Sequence, residues 1–246
     1  SRESDISKEG SASLLPDLVL LFNSAGQARD AAQFIDFLNS VNYQPRAART
    51  NRQGDLNREN LPLVISITSE ADIATSKYFT LGMTVRRIGE NFRPFRCETL
   101  APQSVLYTRT AGHTTSLLSH SVSPITRRGL SPPEGPSVRP CEEVLGSAER
   151  GTCFLAPVKS TETNQWEDKW FILERQLQAR NNSAYWIVQV PREIIPNHSE
   201  IFGPPEGSGE SFFRLVNVLS ELGGLDLERL PGLDVEPGVL GSPLHP

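Results

Sequence analysis

The apolar positions change period along the chain, and the changes mark out its elements. After a polar, aperiodic start over residues 1–13, Leu18-Val19-Leu20-Leu21-Phe22 forms a short apolar run stopped by Asn23-Ser24-Ala25-Gly26. Such a run is too short for a buried helix and predicts a strand covered on both faces, as in a parallel sheet. From Gln27 to Val41 the period becomes helical: Ala28, Ala31, Ile35 and Leu38 share a face that Phe34 and Phe37 widen. A second run, Leu63-Val64-Ile65-Ser66-Ile67, follows Pro62 and is β-branched enough to predict a strand. Ser69-Glu70-Ala71-Asp72 then leads into a helical pattern from Ile73 to Ile88. A third strand is predicted at Tyr185–Val190. Beyond it, Ser211 is the predicted cap of a helix with Phe212, Leu215, Val216 and Leu219 on one face, ended by Gly223-Gly224. Strand, helix, strand, helix is the order of an α/β fold, and it predicts three mutually parallel strands in one sheet flanked by helices.

The middle of the chain breaks this pattern. Residues 90–151 carry many prolines and arginines and one short apolar run, Ser104-Val105-Leu106-Tyr107. They read as a long Pro-rich insertion, with Ser123–Pro140 as loop. Trp166 and Trp170, four apart, are spaced to share a helical face and read as packing residues. The expected organisation is one α/β domain over 1–222, interrupted by the insertion, with a flexible Gly- and Pro-rich tail over 223–246.

Composition narrows the partners. The chain has 246 residues and a formal charge of −5 from 24 basic and 29 acidic side chains. No basic run stands out, so neither nucleic acid nor a membrane surface is expected as a partner. No apolar stretch reaches membrane-spanning length. Three cysteines, Cys97, Cys141 and Cys153, without CxxC pairing, argue against a disulfide framework or a thiolate zinc site. Reduced cysteines in a cytoplasmic protein are the expectation, with Cys141 and Cys153 as the pair that would bridge in a secreted one. Two N-glycosylation triplets, starting at Asn181 and Asn197, are short enough to occur by chance.

The candidate chemistry lies at strand ends. Asp72 follows the second predicted strand and His198 the third, where parallel sheets gather functional groups. A carboxylate that orients one imidazole nitrogen leaves the other free as a general base. Asp72 also suits a helix cap, with Ser69 three residues before it in a loose capping box. Glu70 is the alternative acid. His113 and His120, seven residues apart, would share a face of a continuous helix, but no third ligand accompanies them, so no metal or cofactor is expected. His245 lies in the tail.

The stretch from Pro62 to Asp72 resembles the acid-bearing strand and loop of α/β-hydrolase-fold proteins. The segment from Trp186 to Ile201, with the helix after it, resembles their histidine loop and final helix. Ala111-Gly112-His113 and Ser119-His120 add to the similarity to a group of largely uncharacterised hydrolase-like proteins. The resemblance covers about half the chain, in three blocks, and implies a partial hydrolase-like sheet. It also implies a serine hydrolase of ester, thioester or amide substrates, in which Asp72 and His198 serve a nucleophilic serine. The chain departs from the family in lacking any G-x-S-x-G motif. Gly10-Ser11-Ala12-Ser13 and Gly207-Ser208-Gly209 lack a preceding strand. The resemblance therefore places the nucleophile before Ser1 and implies that the chain alone is inactive. The alternative is a non-catalytic hydrolase-like scaffold that binds a protein partner or a second copy.

Overall fold

A computed structural model of the chain describes residues 18–41, 62–88, 100–126, 138–146, 151–160, 163–176, 184–198 and 208–222. A mixed seven-stranded sheet forms its centre. The strands are β1 (Val19–Phe22), β2 (Val64–Ser69), β3 (His120–Pro124), β4 (Val138–Pro140), β5 (Thr152–Lys159), β6 (Trp166–Arg175) and β7 (Tyr185–Val190). Their order across the sheet is β1-β2-β7-β3-β6-β5-β4. The three strands expected from the apolar runs are mutually parallel, with Val19 opposite Val64 and Val64 opposite Tyr185. β3 continues them in parallel, whereas β6, β5 and β4 each run antiparallel to the neighbour before them.

Alternation along the strands decides which helix covers which face. Ile65 and Ile67 of β2, with Val188 and Val190 of β7, pack under α5 (Ser208–Leu222) through Phe212, Leu215, Val218 and Leu219. Val64, Tyr185 and Ile187 point to the other face. There they meet Ala28, Ala31, Ala32, Ile35 and Leu38 of α1 (Ala28–Ser40), and Leu106 of α3 (Gln103–Thr108). Both faces are apolar because both are covered. A helix beginning at Ile73 follows β2, passes through a π-turn at Ala74–Tyr78 and ends as α2 (Phe79–Arg86).

Several expectations are corrected. The described parts of 90–151 are not an irregular insertion: α3, two short 3₁₀ turns (Ala111–His113 and Thr115–Leu117), β3, β4 and α4 (Cys141–Leu145) are built into the fold. β3 was hidden because Pro124 ends it and only Val122 of its five residues is buried, so it shows no apolar run. The Pro-rich stretch 127–137 lies outside the described residues, as do the tail from 223 and Gly10-Ser11-Ala12-Ser13.

Trp166 and Trp170 sit on a strand, not a helix, and only Trp170 is buried. Their strand, β6, pairs with β5 in the longest ladder of the sheet, and positions four apart share a face of a strand as well as of a helix, so the spacing alone did not distinguish the two. Ser211 does not cap α5, which begins at Ser208; its hydroxyl is buried and donates to the Pro157 carbonyl. Cys141 and Cys153 are disulfide-bonded, with Cα atoms 4.9 Å apart, against the expectation of reduced thiols. α4 lies against β5, and Leu145, Leu155 and Trp170 surround the bond. Cys97 lies outside the described residues. Among the described residues no helix is long and apolar enough to cross a membrane.

Candidate functional site

The C-terminal ends of β1, β2 and β7 form one edge of the sheet, and a buried polar cluster sits on it. β2 ends at Ser69. The Ser69 hydroxyl donates to the Ile195 carbonyl at 2.6 Å and accepts from the Ala71 amide at 3.1 Å, which turns the chain sharply after the strand. Asp72 follows this turn. Its carbonyl accepts from the Ser76 amide and its Oδ1 from the Thr75 amide at 3.1 Å, so Asp72 is the N-cap of the helix beginning at Ile73.

The second oxygen is what makes the site. Asp72 Oδ2 lies 2.9 Å from His198 Nδ1. The Asp72 side chain is 0% exposed and that of His198 is 52% exposed. Burial pushes the Asp72 carboxyl up, but hydrogen bonds from His198 and Thr75, with the attraction of the imidazole, outweigh it and hold the group below its ordinary value. An ionised carboxylate only accepts, so Nδ1 carries the hydrogen in this pair and neutral His198 keeps a lone pair on Nε2. Capping and orienting, weighed above as alternatives, are both performed by Asp72, one oxygen each. Glu70 is turned away. It is exposed, and its Oε1 accepts from the Arg192 amide at 3.4 Å.

Sequence reading missed three members of the cluster. Asn23 follows β1 with a left-handed φ of 40°, and its Oδ1 accepts from the Ser69 amide at 3.0 Å. Its position after an apolar run was the available signal. Thr75 caps onto Asp72, a role its place in the first helical turn suggested. His113 was considered as a metal ligand with His120 and as part of the resemblance, not as a neighbour of Asp72. The helix that would have paired them is absent: His113 lies in a 3₁₀ turn and His120 starts β3, its ring centroid 4.2 Å from that of Trp186 at a tilt of 38°. No group of three metal-ligating side chains occurs among the described residues.

His113 instead faces the Asp72 side of the site. Its Nδ1 pairs with the Thr110 hydroxyl at 3.0 Å. Burial lowers its pKa; the Asp72 charge and the Ser69 carbonyl oppose this, and Arg109 adds to it. The Ser69 carbonyl is thus near enough to favour a proton on His113, yet Nε2 makes no hydrogen bond of normal geometry. Asn23 Nδ2, Thr68 Oγ1 and Thr75 Oγ1 are likewise buried without a partner. Gly112 brings the His113 turn against the sheet, since a Cβ there would stand 2.0 Å from Thr68 Oγ1.

No serine among the described residues is hydrogen-bonded to His198. β1 is the end strand of the sheet, and its outer edge is unpaired among the described residues. Val19 and Asn23 direct their amides to β2, so Leu20 and Phe22 direct theirs outward by alternation. Beside this edge an open apolar groove of about 350 Å³ is lined by Leu21, Ala31, Phe34 and Tyr185 among others. No family model, curated protein or solved structure matches the chain.

Proposed function

We propose that Asp72 and His198 are the acid and the histidine of a serine-hydrolase site for ester, thioester or amide substrates. The supporting observation is the 2.9 Å carboxylate–imidazole contact at the C-terminal edge of parallel strands. Asp72 is held by the backbone it caps, and His198 reaches solvent, where a substrate can meet it. His198 takes the proton from the attacking hydroxyl and returns it to the leaving group, while Asp72 fixes its tautomer and stabilises the imidazolium.

The nucleophile comes from outside the described residues. A further parallel strand on the outer edge of β1 would end beside Asn23 and Asp72, where a serine on a strand-to-helix turn could meet His198. The second reading, a non-catalytic scaffold, is favoured by the lack, among the described residues, of a serine hydrogen-bonded to His198.

Fluorophosphonate labelling and p-nitrophenyl ester turnover separate the readings, measured on this chain alone and on the protein in its natural full-length context. The expected result is no labelling of the chain alone, and labelling of one serine in the full-length context that His198→Ala abolishes. Labelling of a serine within the chain alone would move the nucleophile into it. Absence of labelling in both would leave the scaffold.

A further inference from the structure

The helix that begins at Ile73 and ends at Arg86 has an outer face that nothing among the described residues covers. Met83 is buried on its inner side, whereas Tyr78, Leu81, Val85 and Ile88 are between 59% and 79% exposed. At about 100° per residue Tyr78, Leu81 and Val85 fall within roughly 60° of arc, so they form one apolar stripe along the helix, and Ile88 adds to it from the turn just beyond the helix end. Lys77 flanks the stripe on one side and Arg86 on the other, and both are exposed. The stretch 73–88 contains Lys77, Arg86 and Arg87 and no acidic residue. Two more guanidinium contacts gather at the same corner: Arg87, and Arg29 from α1, lie 4.4 and 5.0 Å from the Tyr107 ring. Asp30, exposed beside Arg29, is the nearest acid in sequence on α1.

We propose that this face docks the protein on an anionic membrane surface, with the helix lying in the plane of the interface. An exposed apolar row with cations on both flanks is the pattern of interfacial helices: the row enters the acyl boundary while the cations meet phosphate headgroups. Charge decides against a second copy as the occupant, because pairing this face with itself would bring Lys77 and Arg86 of both copies together. The formal charge of −5 is spread over the whole chain and is screened beyond about 8–10 Å, so the local cations dominate at contact. Overall composition argues against a membrane partner; the flanking arrangement arises only because 73–86 is helical. The proposal does not depend on hydrolysis.

The test is flotation of the 246-residue chain with phosphatidylcholine vesicles, with and without phosphatidylserine. Binding is expected only to the phosphatidylserine vesicles, with release at high salt. Lys77→Glu combined with Arg86→Glu should reduce the bound fraction by roughly tenfold or more. Leu81→Ser combined with Val85→Ser should do the same without changing circular dichroism. Should the serine variant fold poorly, the charge reversal decides alone. No flotation of the wild type, or flotation unchanged by charge reversal, would overturn the proposal. A dimer seen by sedimentation without vesicles, and dissociated by the serine variant, would overturn it in favour of self-association.

Discussion

Asp72 carries two jobs on two oxygens, and substitution can separate them. Asparagine caps helices nearly as well as aspartate, whereas alanine does not cap at all. Asp72→Ala should therefore lose about 1 kcal/mol more stability than Asp72→Asn in urea unfolding. If the proposed hydrolase reading holds, Asp72→Asn should still lower ester turnover by roughly 10³–10⁴-fold in the active form of the protein, because the amide no longer enforces the Nδ1–H tautomer of His198. Equal stability of the two variants would show that the cap contributes nothing.

The half-buried histidines His113 and His120 give the fold a pH dependence whose sign follows from their shifts. Burial, with the nearby Arg175 charge, pushes His120 down to about 4, and burial lowers His113 as well. Between pH 6.5 and about 4 the unfolded chain takes up protons that the native state refuses, so stability falls with pH across that window. The His120 contribution is on the order of 3 kcal/mol. Asp72 acts lower. Its depressed carboxyl supports the fold above its ordinary value of 3.8, and that support is lost as pH falls through the lower native value. Urea midpoints measured across this range should fall less steeply in His120→Gln than in the wild type.

At the scale of elements, close approach and a covalent link do what regular hydrogen bonding does not. The 3₁₀ turn at Ala111–His113 reaches β2 only because Gly112 has no side chain. Gly112→Ala should push the turn off Thr68 and cost roughly 1–3 kcal/mol by overpacking, with His113 displaced from the Asp72 region. A His113 ring signal in NMR spectra that does not move would contradict this. On the far side of the sheet, the Cys141–Cys153 bond ties α4 to β5 across a separation of 12 residues. By loop entropy it adds up to about 3 kcal/mol, so reduction should lower the urea midpoint. Peptide mapping without reductant should recover the linked pair.

For the whole molecule the consequential feature is the outer edge of β1. That edge is unpaired among the described residues, and such an edge beside an apolar groove is a template for another strand, which suits the nucleophile-bearing strand proposed above and also suits aggregation. The chain made alone should self-associate by light scattering, and Leu21→Lys, which places a charge in that groove, should suppress it.

What could be read from the sequence was what depends on local period. Parallel strands buried on both faces leave continuous apolar runs, so β1, β2 and β7 were legible, and with them α1, the helix after Asp72, and the positions of Asp72 and His198 past strand ends. What escaped depends on partners distant in the chain. β3 and β5 contain prolines and are defined by their ladders with β6. The disulfide depends on α4 folding back against β5. The Asp72–His198 contact spans 126 residues and exists because β7 inserts beside β2. The sequence by itself determined which residues were available at the sheet edge, because side-chain periodicity is a property of neighbouring positions. Only the tertiary structure decided that one oxygen of Asp72 caps a helix while the other holds His198, because that division requires two remote segments to meet at one buried carboxylate.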